Sequence, residues 1–508
     1  MSTVSEADDK LDAAVLKVAG VVVLGAIMSI LDITVVSVAQ PTFQDVFEAS
    51  PADVAWSMTG YTLALATVIP LTGWAADRFG TKRLYLLALS LFVLGSLLCA
   101  MSWDVASLIG FRVVQGLGGG MLMPLGMTIM TRAAGPHRVG RVMAVLGIPM
   151  LLGPIGGPIL GGWLIDQASW HWIFLINLPI GVLAFAYALI VLPKDAPEPS
   201  ESFDFVGMLL LSPGLALLLF GVSSIPEKGT VFDERVLIPA IVGIALSVVF
   251  VWHAFRPAHP LIDLRLFKNR QLTVAVITMF LFAVAFFGAS LFIPSYFLQV
   301  RGEDTLQAGL LIAPQGLGAM LTMPLAGKAV DSIGPGKIVM TGLVGIIAGM
   351  AVFTQIGADT PYWVLLGGLF VMGLGMGATM MPTMTAALQT LREHTIARGS
   401  TLMNIVQQVA ASVGTAIMSV VLTNQIKDSD FAGAATQSWQ SPEILQKLTP
   451  DMLEAGFRDA ADAFGTTYTV AFALMVLTLI PAFFLPRRKS AGQPADEGPQ
   501  DKVEVPAS

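Results

Sequence analysis

Apolar runs of about twenty residues recur along the chain, and short polar segments separate them. Backbone polar groups in hydrocarbon must be paired within the segment that carries them, so each run is predicted to be a membrane-spanning helix. The fold class is therefore all-α integral membrane. We predict fourteen transmembrane helices, at residues 16–39, 53–76, 84–102, 105–131, 142–165, 173–192, 205–223, 236–256, 272–298, 306–327, 338–357, 361–386, 399–424 and 465–486.

One segment that begins with proline and ends with glycine occurs twice in the sequence. "PLTGWAADRFG" (Pro70–Gly80) ends span 2 and "PLAGKAVDSIG" (Pro324–Gly334) ends span 10, with identical residues at six of the eleven positions. "GLGGGMLMP" on span 4 resembles "GLGMGATMMP" on span 12, again eight spans later. Chance likeness between glycine-rich helices is the alternative. Duplication predicts two pseudo-symmetric six-helix bundles, spans 1–6 and 9–14, with spans 7 and 8 as an inserted helix pair.

This organisation sets the predicted domain boundaries. They are a cytoplasmic N-terminal tail at 1–15, a first bundle at 16–192, a linker with the inserted spans at 193–271, a second bundle at 272–486 and a disordered cytoplasmic tail at 487–508. The second bundle includes an outer loop, 425–464. There Thr449 and Pro450 predict the start of a capped surface helix.

Composition agrees with a membrane protein: 55% of the residues are hydrophobic, 12% are charged and the mean hydropathy is +0.75. With the N-terminus inside, the outer loops hold few of the 28 Lys and Arg residues, so both termini are predicted to be cytoplasmic. No basic stretch suggests a nucleic-acid partner. The single cysteine, Cys99, excludes an intrachain disulfide and suggests no metal site.

Two charged residues interrupt apolar spans. Asp32 on span 1 and Arg112 on span 4 fall at similar depths, each within about 10 Å of the midplane on the outer side. A charge at such a depth is expensive and indicates a functional site. We predict that Asp32, Arg112 and Gln115, which shares a helix face with Arg112, form a proton-coupling network. A static ion pair that fixes the packing of the bundle is the alternative.

The repeated segment predicts an ionic latch at the inner surface. Its aspartates can pair with cations or with helix N-termini, and its glycines permit close packing and a tight turn. The alternative is that these charges only set the topology. The predicted latch residues are Gly73, Asp77, Arg78, Gly80, Lys82 and Arg83 in the first copy and Gly327, Asp331 and Gly334 in the second.

Two further sets of residues have predicted roles. On span 5, glycines at intervals of four allow close helix contact and prolines bend the helix, which predicts a dry seam between the halves. The seam residues are Gly153, Pro154, Gly156, Gly157, Pro158 and Gly161. Adaptable apolar side chains could line a substrate cavity, or simply pack in the core. These are Phe282, Phe286, Tyr296, Met376 and Met380.

These motifs resemble those of the major facilitator superfamily. Beside the repeated segment, "LDITVVSVAQP" (Leu31–Pro41), "RVVQGLGGG" (Arg112–Gly120) and "GPIGGPILGG" (Gly153–Gly162) are similar to its signatures of spans 1, 4 and 5. "WHWIFLINLPIG" and "PLIDLRLFKNR" resemble segments of the 14-span drug:proton antiporter branch, the EmrB/QacA type. The chain departs at Ser37, where that family more often has Asn.

The resemblance implies a multidrug efflux transporter of a bacterial cytoplasmic membrane, with Asp32 as the coupling acid and span 5 as the mark of an antiporter. Its partners would be small lipophilic or cationic substrates, protons and membrane lipids, and the sequence identifies no periplasmic adaptor. Export of one defined metabolite, siderophore or lipid is the alternative. An enzyme or a channel is more distant, because no phosphate-binding, zinc-protease or serine-hydrolase motif occurs, and no cofactor is expected.

Overall fold

The computed structural model describes residues 12–135, 138–195, 202–225, 232–257, 259–389, 391, 395–439 and 448–486. These residues form α-helices and a 3₁₀ turn at Leu264–Lys268, and they contain no strand. Both predicted tails lie largely or wholly outside them. The helices are α1 Ala13–Val38, α2 Gln40–Phe47, α3 Pro51–Phe79, α4 Thr81–Ala100, α5 Val105–Ala134, α6 Val139–Gln167, α7 Trp172–Leu175, α8 Asn177–Val191, α9 Phe205–Ser223, α10 Glu234–Ala254, α11 Arg270–Ser290, α12 Phe292–Gln299, α13 Thr305–Ile333, α14 Pro335–Phe353, α15 Tyr362–Leu388, α16 Ile396–Lys427, α17 Ala432–Ser438 and α18 Pro450–Ala482.

Within the described residues, 13 helical segments are long and apolar enough to cross a membrane. They correspond to all the predicted spans except the fifth, 142–165. That span lies in α6, which is 29 residues long but is not among the 13. The all-helical membrane fold is thus confirmed, and the count of fourteen spans stays a prediction.

The last span differs from its predicted form. We expected a surface helix near Pro450 and a separate span at 465–486, but α18 is one helix of 33 residues. Its start is as predicted, since the Thr449 side chain accepts the N–H of Met452 at 3.4 Å. The helix continues because no proline interrupts it before Pro481.

The helices pack in two sets that mirror the repeat. In the first half, α1–α8, helix α5 packs against α3 and α4, and α1 against α6. In the second half, α11–α18, helix α15 packs against α13 and α14 in the same way. Between the halves, α6 meets α13 and α3 meets α16. Helices α9 and α10 pack together, and α9 also contacts α3 and α16.

Glycines explain why α5 approaches its neighbours so closely. A Cβ added to Gly116 or Gly120 would lie 2.5 Å or 2.7 Å from a carbonyl oxygen of α3, and one added to Gly118 would lie 2.5 Å from the nitrogen of Phe92 on α4. The second copy repeats this on α15. A Cβ on Gly373 or Gly377 would meet α13, and one on Gly375 would meet α14. The repeated glycines therefore perform the same packing in both halves.

The repeated segments end their helices alike. Gly80 and Gly334 have φ values of 93° and 88°, and their N–H groups bond to the carbonyls of Ala76 and Val330. Positive φ is strained for any other residue type, which accounts for glycine at both turns. We call the end of the molecule that carries these turns the repeat end.

Gly118→Val should lower the thermal stability of the detergent-solubilised protein by an amount equivalent to about 1–3 kcal/mol, because its Cβ would overlap the backbone of α4. The protein is heated, and size-exclusion chromatography then measures the fraction that remains monomeric. Gly110→Val is the matched control, since no heavy atom lies within 4 Å of a Cβ added there. Equal losses in the two variants would contradict the packing described.

Candidate functional site: a buried ion pair and a closed seam

Asp32 and Arg112 form a buried ion pair within the first half. The Arg112 Nη1 donates to Asp32 Oδ2 at 2.5 Å, and both side chains are fully buried. Gln115 completes the set that the sequence predicted: its Nε2 donates to Asp32 Oδ1 at 2.7 Å, and its Oε1 accepts from Arg112 Nη1 at 2.6 Å. The structure thus brings the three predicted residues together from α1 and α5.

Two further side chains join this network, and sequence reasoning missed them. Asn177 Nδ2 on α8 donates to Asp32 Oδ1 at 3.3 Å and to Ser96 Oγ at 3.3 Å. Ser96 Oγ on α4 also accepts from Gln115 Nε2 at 2.7 Å. We call Asp32, Arg112, Gln115, Ser96 and Asn177 the Asp32 cluster. The sign of these two residues in the sequence is a lone amide or hydroxyl side chain within an apolar run.

The chemistry of the Asp32 cluster fits an ionised carboxylate. Every side chain bonded to Asp32 presents an N–H group to it, from Arg112, Gln115 or Asn177. The shell therefore supplies donors to both carboxylate oxygens. An uncompensated charge at this depth would be strongly destabilising, so each partner helps to hold the carboxylate inside the bundle.

Aromatic rings enclose the guanidinium group. The Tyr61 ring on α3 lies 4.2 Å from Arg112 Cζ and the Phe174 ring lies 6.0 Å away. The Tyr61 hydroxyl is 3.3 Å from Ser29 Oγ, and Arg112 Nε donates to the carbonyl of Ser57 at 3.3 Å. The cluster is therefore closed off inside the first half.

Ion pairs join the two halves at the repeat end. Asp77 on α3 accepts from Arg132 on α5 at 3.3 Å, and it also lies 3.8 Å from Arg398 on α16 of the second half. Asp331 on α13 lies 3.6 Å from Arg141 on α6 of the first half. Each repeated aspartate thus faces a cation at the start of a helix in the opposite half. We call Asp77–Arg398 and Asp331–Arg141 the cross-half pairs.

Close packing accompanies the cross-half pairs. A Cβ on Gly73 would lie 3.1 Å from Thr401 Oγ1, and one on Gly147 would lie 2.2 Å from the end of the Met323 side chain. Gly73 and Gly147 belong to the first half and face the second. The seam between the halves is therefore tight at the repeat end.

Other predicted latch residues stabilise helix ends. Lys82 Nζ donates to the carbonyls of Leu189 and Leu192 at the end of α8, at 2.7 Å and 2.8 Å. The carboxylate of Asp195 accepts the N–H groups of Lys82 and Arg83 at the start of α4. This segment therefore ties α8 to α4. Arg78 and Arg83 lie at least partly exposed at this end, and Gly327 is buried in α13.

A second ion pair at the repeat end, besides Asp77–Arg132, lies within the first half. Asp12 caps α1 and lies 3.3 Å from Arg138, which precedes α6. The N–H of Val15 and the neighbouring Arg138 hold the pKa of the Asp12 carboxyl below its usual value. Asp12 therefore stays charged and fastens α1 to α6.

The span 5 glycines face α1 of the same half, whereas we predicted a seam between the halves. A Cβ on Gly153, Gly157 or Gly161 would meet Ile30, Thr34 or Val35 of α1, and one on Gly156 would lie 3.7 Å from Leu31. They close a seam inside the first half, because a stripe with a spacing of four occupies one helix face and that face meets α1. The side chains of Pro154 and Pro158 lie outside the described residues.

The five predicted cavity residues are all buried. The rings of Phe282 and Phe286 stack at 5.3 Å, and the Tyr296 hydroxyl donates to the carbonyl of Gly357 at 2.8 Å. Met376 and Met380 lie on α15. A substrate-lining role for these residues stays a prediction. No group of three potential metal ligands occurs in the part of the chain that the structure describes.

Comparison with known proteins assigns the family. The model of the Major Facilitator Superfamily matches residues 22–415. The chain belongs to the Major Facilitator Superfamily. This membership makes it a multi-pass membrane transporter and not an enzyme.

Individual members of the superfamily are close in sequence. "Multidrug resistance protein B homolog" of Mycobacterium tuberculosis (strain ATCC 25618 / H37Rv) is 52% identical over 498 residues, which cover 95% of this chain and 92% of that protein. "Uncharacterized MFS-type transporter YhcA" of Bacillus subtilis (strain 168) is 31% identical over 406 residues, 80% of this chain and 76% of that protein.

Solved structures share the superfamily fold at low sequence identity. The human organic anion transporter MFSD10 (TETRAN) aligns with a TM-score of 0.60 at 16% identity, covering 92% of this chain and 100% of that chain. The proton:xylose symporter XylE, bound to 6-bromo-6-deoxy-D-glucose, aligns with a TM-score of 0.55 at 16% identity, covering 92% and 96%. These similarities establish the fold alone.

Removing either repeated aspartate should loosen the seam. In a Thr401→Cys background, whose position is 1% exposed, Asp77→Asn and Asp331→Asn should each raise the rate of thiol labelling about fivefold. A loss of roughly 1 kcal/mol per pair gives that factor, and the double variant should multiply the two effects.

The matched control is Asp428→Asn, which removes an exposed carboxylate at the far end of α16. The native Cys99 is buried and should not react. Labelling rates that are the same in all the variants would show that the cross-half pairs do not hold the seam shut.

Proposed function

We propose that this member of the superfamily is a proton-coupled antiporter that exports small lipophilic or cationic compounds by alternating access. The observation that carries the proposal is the Asp32 cluster, in which a carboxylate is buried against a guanidinium group within an apolar bundle. A relative with 52% identity is named a multidrug resistance protein, which supports drugs as the exported class.

Arg112 and Asp32 would have different roles in coupling. Arg112 keeps its proton in a protein, so it serves as a fixed positive charge. Asp32 would exchange a proton when its donor shell opens. An inward-moving proton supplies about 1.4 kcal/mol per pH unit and about 2.3 kcal/mol per 100 mV of membrane potential. Typical gradients would therefore support an outward concentration of substrate of a hundredfold or more.

The seam supports a state that is closed at the repeat end. The cross-half pairs, Gly73 against α16 and Gly147 against Met323 all gather there. We infer that the route to the substrate opens at the opposite end in this state, and that the repeat end is cytoplasmic in a bacterial inner membrane. Opening the repeat end would require both cross-half pairs to break.

Helix α5 would connect the Asp32 cluster to the seam. It carries Arg112 and Gln115 in the cluster and Arg132 beside Asp77. Arg112 and Arg132 lie about 30 Å apart along one continuous helix. A change at Asp32 that shifts α5 would therefore move a partner of Asp77.

Asp32→Asn should abolish efflux of ethidium driven by an imposed pH gradient in proteoliposomes, because the variant side chain cannot exchange a proton. Substrate exchange without a gradient should persist, since an amide resembles a protonated carboxyl group. Asp45→Asn is the control, because Asp45 is exposed on α2. Unchanged gradient-driven efflux in Asp32→Asn would remove Asp32 from the coupling role.

A paired replacement separates coupling from a static structural ion pair. If the pair only stabilises the bundle, Asp32→Asn combined with Arg112→Gln should restore gradient-driven efflux, because no unpaired charge is left buried. If Asp32 couples transport to protons, the double variant should fold stably but should not recover gradient-driven efflux. Thermal stability is measured in parallel to verify folding.

A further inference from the structure

Two glutamine side chains interrupt the middle of a transmembrane helix. Gln407 and Gln408 lie in α16, and Gln408 follows Ile396 by about 18 Å along the helix axis. Both side chains are partly exposed. The described part of the chain offers no hydrogen-bond partner to either amide. An amide facing hydrocarbon without a partner would be strongly disfavoured.

The faces of α16 have different neighbours. The helix packs against α3, α5, α9, α11, α15 and α18. The face that carries Ala410 and Gly414 is filled by α11, where a Cβ on Gly414 would lie 2.1 Å from the carbonyl oxygen of Val284. Gln407, three residues before Ala410, shares this face, so Gln408 is the amide that can face a different neighbour.

The seam contacts show which face carries Gln408. Gly73 of the first half lies against Ala397 and Thr401, and the sulfur of Met127 on α5 is 3.2 Å from Asn404 Nδ2. Residues 397, 401, 404 and 408 follow one another at helical spacing on one face. Gln408 therefore faces the first half, one turn beyond Asn404.

We propose that Gln408 forms a neutral hydrogen-bonding wall of the substrate cavity, a subsite for lipophilic compounds that carry amine, hydroxyl or carbonyl groups. Its amide both donates and accepts, so it binds such groups without a charge. The charged Asp32–Arg112 pair is sealed within the first half and cannot take this role in the present state. The inference rests on the proposed export function and names the chemistry of its substrate.

The first test uses two lipophilic monocations. Ethidium carries two aromatic amines, whereas tetraphenylphosphonium has no hydrogen-bonding group. Gln408→Leu should weaken ethidium binding to the purified transporter by about 2- to 10-fold, the range expected for one lost hydrogen bond. Binding of tetraphenylphosphonium should not weaken.

Thr415→Val on the same helix is a matched control, because it also removes a polar group from α16. Equal weakening for both probes would indicate a general packing defect and would overturn the proposal, as would unchanged ethidium binding. If the unaltered protein binds neither probe, the substrate class proposed here is wrong.

The second test does not depend on export. A membrane-impermeant maleimide should label the Gln408→Cys variant from the side opposite the repeat end. It should not label Thr401→Cys, which lies in the closed seam on the same face. The unaltered protein is the background control, because Cys99 is buried.

The labelling and transport results test the cavity and the export function separately. If position 408 is labelled but ethidium is not transported, the proposed cavity is supported and the proposed export function is rejected. Absence of labelling at 408 in a folded variant would overturn the cavity wall itself, whatever the transport result.

Discussion

The structure depends on one buried electrostatic arrangement, the ion pair between Asp32 and Arg112. Two charges in the hydrocarbon region are tolerated only when each compensates the other. Four helices supply the groups of this arrangement: α1 carries the carboxylate, α5 the guanidinium group and Gln115, α4 Ser96 and α8 Asn177. Four helices of the first half thus meet at one carboxylate.

Duplication gives the molecule a second constraint, which lies between the halves. Asp77 and Asp331 hold equivalent positions in the two copies, and each faces an arginine at the start of a helix in the opposite half. A rotation of one half against the other about an axis between them would separate both pairs together. The seam is therefore suited to two arrangements, closed and open, more than to a graded series.

The sequence predicted well the features that depend on local composition. Long apolar runs predicted the helices, and the rarity of charge within them singled out Asp32 and Arg112. It could not show that Arg141 and Arg398 would meet the repeated aspartates, because those partners are remote in the chain and brought together only by packing. Asn177 and Ser96 were missed because uncharged polar residues are common in membrane helices. The direction of the Gly153–Gly161 stripe likewise depends on which neighbour occupies that face.

The length of α18 has a mechanical consequence. Its 33 residues extend about 50 Å, well beyond a hydrocarbon layer of about 30 Å. Its first turns pack with α17, and Trp439 just after α17 stacks on Phe457 of α18 and donates to the carbonyl of Gln299. The protruding part is thus braced against the second half. Because the helix is continuous, a small tilt of α18 within the membrane would displace its protruding end by a larger distance. A spectroscopic label on that end could follow the displacement.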